Sequence, residues 1–384
     1  MTLQQLQITL LRLTRLQLLL TIPACRVQTE KMTHMAIIIQ VCGRQRMIST
    51  TGVYLGGSYN ARLFNRRIDI LDITIDFGGT TIKLGLVRDG ALISRKSLPA
   101  LSGSGLLQRL PDVELAVHEM LQELQISLQQ CRGVGMAIPG LVDSTAMTLM
   151  SANEKYVDAV GFSFANWAKE AFSLPIVLEN DARAALLGET AFGVAKGETD
   201  AVLMIFGTGI GTSAMINGQV IRGKHHQAGI LGGHFITDVY GFKCTCGNQG
   251  CLEAHSSHWA LPSIIKQHAQ GQATILSTQE ESSYLKVIQA TEAGDQVAEA
   301  VLEDLIMHWS AGIINLVHAY DPEIIILSGG LMNSADLLLP RFIERVHQLA
   351  WAPWGKVRFA VAEDPDLSVL LGVSHLLSIR SADK

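Results

Sequence analysis

From about residue 68 onward, apolar positions fall into short β-branched runs that alternate with stripes of helical spacing. Residues 68–75 (Ile-Asp-Ile-Leu-Asp-Ile-Thr-Ile) have the enrichment of a buried strand, and Asp76-Phe-Gly-Gly-Thr-Thr81 follows as a turn. Residues 82–87 and 92–97 read as two further strands, with Asp89-Gly90 as the hairpin turn between them. Residues 111–129 have helical spacing, residues 133–139 form another strand, and a helix over 165–172 leads into a strand at 176–179. The Ala- and Leu-rich stretch 181–192 is then a helix closed by Gly193.

The second half repeats the opening theme. A strand at 201–206 ends in Gly207-Thr-Gly-Ile-Gly-Thr212, and strands near 213–216 and 219–221 follow. Leu302, Leu305, Ile306, Trp309, Ile313, Leu316 and Val317 recur at three and four, the mark of a long buried helix. A strand at 323–327 and the turn Ser328-Gly-Gly330 come next. Strands alternating with helices in this way predict α/β sheets covered by helices.

The first 68 residues differ. Arg12, Arg15, Arg26, Lys31, Arg44, Arg46, Arg62, Arg66 and Arg67 face the single acid Glu30, and no period is sustained over 33–65. The expectation is a basic, poorly ordered extension, or a translated upstream stretch with the start at Met32, Met35 or Met47. A DNA-binding arm is the alternative. The leucine-rich start is short and broken by Gln17, although Ile22-Pro-Ala-Cys25 after Arg12 and Arg15 has the outline of a lipoprotein leader. No uninterrupted apolar stretch reaches the roughly 18 to 20 residues of a membrane span.

Composition narrows the class. A hydrophobic fraction of 48% and a charged fraction of 17% over 384 residues suit a two-domain globular enzyme and exclude a largely disordered chain. A net charge of −5 gives no global basic field for nucleic acid. Six cysteines are too few for a disulfide scaffold, which points to the cytoplasm.

Three of those cysteines carry the sharpest chemical signal: His234-x9-Cys244-x-Cys246-x4-Cys251. Three thiolates and one imidazole make a closed tetrahedral zinc site, a structural one. The glycine turns carry a second signal. Gly78 and Gly79 lack bulk where a polyphosphate would approach backbone N–H groups, Thr80 and Thr81 add hydroxyls, and Asp76 could hold Mg²⁺. Gly207, Thr208, Gly209 and Gly211 offer a second cradle, and Gly329-Gly330 a third. Gly218 to Lys224 imitates a P-loop, but His225 stands where Ser or Thr is required. Asp181, where a strand gives way to a helix, could be only a helix cap or could accept the proton of an attacking hydroxyl.

Together these motifs resemble the ROK family, sugar kinases and repressors within the actin-like ATPase fold. Asp76-Phe-Gly-Gly-Thr80 through Lys83 and Gly207-Thr-Gly-Ile-Gly211 resemble its two phosphate motifs, and Ser328-Gly-Gly-Leu331 its adenosine motif. Glu179-Asn-Asp-Ala182 is similar to its catalytic segment. The resemblance implies Asp181 as catalytic base and Asn180, Asn153, His234 and Glu253 as sugar contacts. It also implies a duplicated ribonuclease H-like, two-lobed α/β fold with an interdomain cleft and a zinc loop. The lobes are expected at 69–182 and 183–367, with zinc loop 234–253 and a helix near 368–380 packing back on the first lobe. ATP, Mg²⁺ and structural Zn²⁺ are the implied cofactors and a homodimer the implied assembly, with neither nucleic acid nor membrane as partner. The implied reaction is phosphorylation of a hexose or N-acetylhexosamine, at the 6-hydroxyl. The rival readings are a sugar-responsive repressor and a silent sugar binder.

The chain departs from the family's Gly-Glu-x-Gly-His. It reads Ala228-Gly-Ile-Leu-Gly-Gly-His234, and neither the Ile230 nor the Leu231 side chain can accept a hydrogen bond from a hydroxyl.

Overall fold

The computed structural model describes residues 70–152, 155–276 and 282–382, preceded by four short strands. Those strands, β1 (Arg26–Gln28), β2 (Ile37–Val41), β3 (Arg44–Ser49) and β4 (Gly52–Tyr54), pair antiparallel in sequence order. They belong to a unit of their own, residues 1–68. The sequence pattern predicts no strand here. A three-isoleucine run is too short to display a period of two, whereas ladder pairing needs only backbone groups.

Residues 69–384 form the second unit, built on two five-stranded sheets. The first sheet has the order β11-β8-β5-β6-β7, from β5 (Leu71–Phe77), β6 (Thr81–Arg88), β7 (Ala91–Pro99), β8 (Cys131–Ile138) and β11 (Ile176–Asn180). β5 to β7 are antiparallel, while β5, β8 and β11 run parallel. Asp89 and Gly90 both take positive φ (49° and 78°), so the β6–β7 hairpin closes in two residues, as that dipeptide predicts. Helices α1 (Leu110–Glu123) and α2 (Phe164–Phe172) lie over the sheet, and their buried faces, led by Val113, Val117, Trp167 and Phe172, join one core with Ile73, Ile75 and Val134. α1 ends six residues sooner than its periodicity predicts. Gln125 takes a left-handed conformation (φ 56°) and a short 3-10 turn at Leu128–Gln130 follows.

A small hairpin, β9 (Leu141–Asp143) with β10 (Thr148–Ser151), projects from the end of β8. The second sheet has the order β14-β13-β12-β15-β16, from β12 (Ala201–Phe206), β13 (Ile210–Ile216), β14 (Gln219–Val220), β15 (Ile324–Ser328) and β16 (Arg358–Val361). Again a hairpin opens the sheet and parallel strands extend it, β12 with β15 and β15 with β16. Helices α4 (Leu252–Ser256), α5 (Leu261–Ala269), α6 (Tyr284–Glu292), α7 (Gln296–Tyr320) and α8 (Ala335–Leu349) follow the same stretch of chain. α7 is long and apolar enough by composition to cross a membrane. Its Val301, Leu305, Trp309 and Ile313 are buried in the core shared with Met204, Phe206 and Ile325.

Two helices bring the sheets together. α3 (Asp181–Ala191) leaves β11 and contacts β12 and β13, while α9 (Pro365–Ala382) leaves β16 and packs on β5, β8 and β11. They cross with backbone against backbone. A Cβ on Gly188 of α3 would lie 1.9 Å from the carbonyl oxygen of Ser368, and one on Gly372 of α9 would lie 1.7 Å from that of Ala184. Asp72, buried in β5, anchors α9 by accepting from Ser374 Oγ at 2.6 Å and from Arg132 Nε at 2.8 Å.

Carbonyl oxygens cannot rotate away as a side chain can, so either Gly188→Ala or Gly372→Ala forces the helices apart. Each substitution is expected to cost about 2 kcal/mol or more and to lower Tm by several degrees in a calorimetric scan. An unchanged Tm in both would show that the crossing is not tight.

Candidate active site and metal-binding loop

Strand register places the first half of the site. Asp76 lies opposite Ala137 on β8, and Ala137 lies opposite Glu179 on β11. The glycine turn after β5 and the Asn180-Asp181 pair after β11 therefore emerge at the same, carboxyl, end of parallel strands. That is where open α/β sheets bind ligands.

Asn180 is the N-cap of α3, its Oδ1 accepting from the Arg183 amide at 3.2 Å, and Asp181 is the first helical residue. The capping role open to Asp181 in the sequence thus belongs to its neighbour. Asp181 Oδ1 accepts from the Ala182 amide and from Asn180 Nδ2, both at 2.9 Å. Burial raises its carboxyl above the ordinary range, against the opposing pull of those donors. Burial also pushes the Asp76 carboxyl up to about 6, despite the countering charge of Lys83, and the nearby Asp181 adds to the rise. Lys83 Nζ lies 3.2 Å from Asp76 and 2.6 Å from Asp366, the latter in the first turn of α9.

Asn180 and Asp181 line a cavity of about 310 Å³. Gly140, Ser151 and Ala152 contribute to it from the β9–β10 region, Gly211 from β13, and Gln227, Ile230 and Leu231 from the loop after β14. Asn153, implied as a sugar contact, lies outside the described residues. His234 and Glu253 are not among the residues lining this cavity. Glu253 instead braces the second glycine turn, Oε2 accepting from the Ile210 amide at 2.9 Å and Oε1 from the Trp259 indole at 3.3 Å.

The three glycine turns differ in how much space they offer. Gly78 closes its turn by donating to the Thr81 carbonyl at 3.1 Å, and Tyr156 Oη donates to the Gly78 carbonyl at 2.6 Å. A Cβ on Gly79 would lie 2.5 Å from Nζ of Lys155, so an ammonium group sits directly over this turn. Gly329 (φ 95°) abuts the end of β12, where a Cβ would lie 2.2 Å from the Phe206 carbonyl. The second and third turns are therefore neighbours at one end of the second sheet, and Gly207 and Gly330 there are exposed, with open space beside them. Lys155, Tyr156 and Gln227 carry no motif in the sequence and only the fold brings them here.

Arg183 was likewise invisible as a site residue. Its side chain is fully buried, and it donates to the carbonyls of Ile221 at 3.0 Å, His226 at 2.8 Å and Ala228 at 2.9 Å. Glu179, equally buried, lies 3.4 Å from Arg183 and accepts from Arg222 Nε at 3.0 Å. The helix that begins at Asp181 is thereby clasped to the loop that supplies Gln227, Ile230 and Leu231.

His234, Cys244, Cys246 and Cys251 converge, their candidate ligand atoms all within 4.8 Å of one another. Cys244 Sγ lies 3.6 Å from His234 Nδ1, and the Cys246 and Cys251 sulfurs lie 3.7 Å apart. A tetrahedral ion with bonds of about 2.3 Å to sulfur separates its ligands by about 3.8 Å, so the donor set fits zinc. Gly250 (φ 77°) is needed at the base of the loop, since a Cβ there would lie 1.7 Å from the Asp238 carbonyl.

Comparisons with known proteins give the family and the fold. The ROK family profile matches residues 72–379. A glucokinase of Halalkalibacterium halodurans is 28% identical over 274 residues, 70% of this chain and 82% of that one. A xylose repressor of Bacillus spizizenii is 27% identical over 223 residues, 58% of this chain and 54% of the repressor. A ROK family glucokinase from Streptomyces griseus, solved with glucose and AMPPNP, superposes with a TM-score of 0.65 at 26% identity, covering 80% of this chain and 98% of that one. The α/β fold, the motifs and the metal-binding cluster make one assignment: the chain belongs to the ROK family, with the actin-like ATPase fold.

Proposed function

We propose that this protein transfers the γ-phosphoryl group of ATP to a hydroxyl of a hexose or N-acetylhexosamine, the 6-hydroxyl. One observation carries the reading. A half-buried carboxylate whose pKa is raised by desolvation, Asp181, stands on a sugar-sized cavity at the strand ends that also carry the phosphate-type turn. The hydroxyl oxygen attacks the γ-phosphorus, its proton passes to Asp181, and the bond to the β–γ bridging oxygen breaks to release ADP. Gly78, Gly79, Thr80, Thr81 and Lys155 would hold the phosphates, with Gly207 to Gly211 and Gly329-Gly330 on the far side. Asp76 would hold Mg²⁺, which supplies charge neutralisation on the phosphates when bound. The two sheets would act as lobes of 69–182 and 183–367 whose closure excludes water. His234 and Glu253 would reach the sugar only on such closure. A cytoplasmic homodimer carrying one structural zinc per chain completes the reading.

A second reading is a sugar-responsive repressor, favoured by the xylose repressor relatives at similar identity. It requires salt-sensitive DNA binding that sugar reverses, which a gel shift across 50 to 200 mM salt would detect.

Asp181→Asn is expected to lower kcat on the order of 10²–10⁴-fold while sugar binding persists, as read by ADP release and calorimetry. Retained turnover would remove Asp181 from the mechanism. Because the base must be ionised and its pKa is raised, turnover should fall as pH drops through a value above the ordinary carboxylate range of about 4. A profile flat down to pH 4.5 contradicts this.

Stability runs the opposite way. The raised pKa of Asp76 means that its folded state favours the protonated form, so the contribution is full below about 3.8 and lost as pH rises through about 6. Lys83 keeps Asp366 as a partner, so Asp76→Asn should raise Tm at pH 7.5 and gain little at pH 4. The upper bound on the gain is about 3 kcal/mol. Cys246→Ser is expected to abolish stoichiometric zinc measured by plasma mass spectrometry and to lower Tm; a full zinc complement in the variant would place the metal elsewhere.

A further inference from the structure

A second cavity, of about 340 Å³, shares no lining residue with the one at Asp181. It lies at β11, the edge strand of the first sheet, which supplies Glu179 to its wall. Ser144 and Thr145 reach it from the turn of the β9–β10 hairpin, Arg222 from the loop after β14, and Arg380 from the end of α9. Met147, Leu376 and Ile379 are among its apolar walls.

The polar groups here differ in what they still have to offer. Both oxygens of Glu179 are taken, Oε1 by the Asn180 amide at 2.9 Å and by Arg183 at 3.4 Å, and Oε2 by Arg222 Nε at 3.0 Å. Asp143, next to Ser144, accepts from the amides of Thr145 and Ala146, each at 2.9 Å. Arg380 is less committed. Its Nη1 donates to the Ile176 carbonyl at 2.9 Å and lies 3.9 Å from Met147 Sδ, while its Nε and Nη2 meet no partner among the described residues. The side-chain hydroxyls of Ser144 and Thr145 also have no partner among those residues. The lining therefore presents free donors beside a carboxylate that is already saturated.

A guanidinium offers Nε–H and Nη2–H as a parallel pair that matches the two oxygens of a carboxylate. The charges set the valence of the ligand. Arg183 and Arg222 already share Glu179, so Arg380 alone is left to balance an anion. A dianion such as phosphate would have to draw Arg222 away from Glu179, which is fully buried and would lose part of its counter-charge. The apolar walls suit a hydrocarbon body behind the charged end.

We infer that this cavity binds a small monocarboxylate with an apolar body. Arg380 holds the carboxylate through its Nε and Nη2 edge, a hydroxyl of Ser144 or Thr145 donates alongside, and the body packs on Met147, Leu376 and Ile379. The site is separate from the one at Asp181 and does not depend on the kinase reading.

Calorimetric titration of the full chain at constant ionic strength, with acetate, butyrate, hexanoate and inorganic phosphate, tests the assignment. Hexanoate should fill one saturable site about tenfold or more tighter than acetate, with butyrate between them and phosphate weaker than hexanoate. Arg380→Gln should weaken hexanoate by about tenfold or more. Ile379→Ser, at a position 43% exposed, should lower the hexanoate-to-acetate ratio by about threefold, and carries the test if Arg380→Gln fails to fold. Asp181→Asn should leave hexanoate affinity unchanged. The inference is overturned by any of four results: no saturable hexanoate binding, no dependence on chain length, phosphate binding as tightly as hexanoate, or affinities unmoved in the folded variants at 379 and 380. Loss of hexanoate binding in Asp181→Asn overturns it as well, because the carboxylate would then occupy the other cavity.

Discussion

The buried guanidinium of Arg183 is the interaction on which the site's geometry depends. It lies two residues from Asp181 and has no water to fall back on, so every one of its hydrogen bonds must come from protein. Glu179 supplies the counter-charge, and three carbonyls of the loop after β14 supply the rest. Such a cluster need not add much net stability, because desolvating the charges costs about as much as their attraction returns. What it confers is position. Any arrangement that separates the loop from α3 leaves an uncompensated charge in the interior, typically a loss of 3 to 5 kcal/mol. The Asn180-Asp181 segment and the cavity's other wall are thereby held together, although they lie 40 or more residues apart in sequence.

The same economy appears at the crossing of α3 and α9. Gly188 and Gly372 allow backbone contact, and Asp72 draws in Ser374 and Arg132 from α9 and β8. α3 contacts the second sheet while α9 packs on the first, so two helices in near-atomic contact are what the two sheets share. Motion between the sheets would then turn about this crossing, leaving the strand ends that carry Asp76 and Asp181 fixed relative to each other within one sheet.

What the sequence disclosed follows from the range of the interactions involved. The hairpin at Asp89-Gly90, the strand ends at Asp76 and Asn180 and the Cys-x-Cys-x4-Cys cluster are local. Each is written in adjacent residues whose backbone angles or ligand types are restrictive by themselves. Lys155 over Gly79, Tyr156 on the Gly78 carbonyl and Gln227 in the cavity depend on segments 40 or more residues apart meeting, and nothing in their own neighbourhoods marks them. Asn180 shows a subtler limit. The motif signals importance, but only the structure shows that donating to the Gly140 carbonyl and to Asp181 exhausts its hydrogens while its oxygen caps the helix. The strands between residues 26 and 54 escaped for the opposite reason, since a run as short as Ile37-Ile-Ile39 has no room to express a period.

Ile230 and Leu231 set the character of the cavity wall that faces Asn180 and Asp181. A polar sugar site and an apolar wall conflict only if every substituent of the ligand is a hydroxyl. The costly groups here are the two desolvated carboxylates, with Asp76 held near pKa 6 and Asp181 raised above its ordinary value. Both stand close to the cation of Lys83, and the clasp of Arg183 holds the loop opposite. Asp76 and Asp181 stand at the strand ends beside the first glycine turn, while Ile230 and Leu231 reach the cavity from the loop after β14, so the carboxylates and the apolar wall are set by separate elements that the Arg183 clasp holds together.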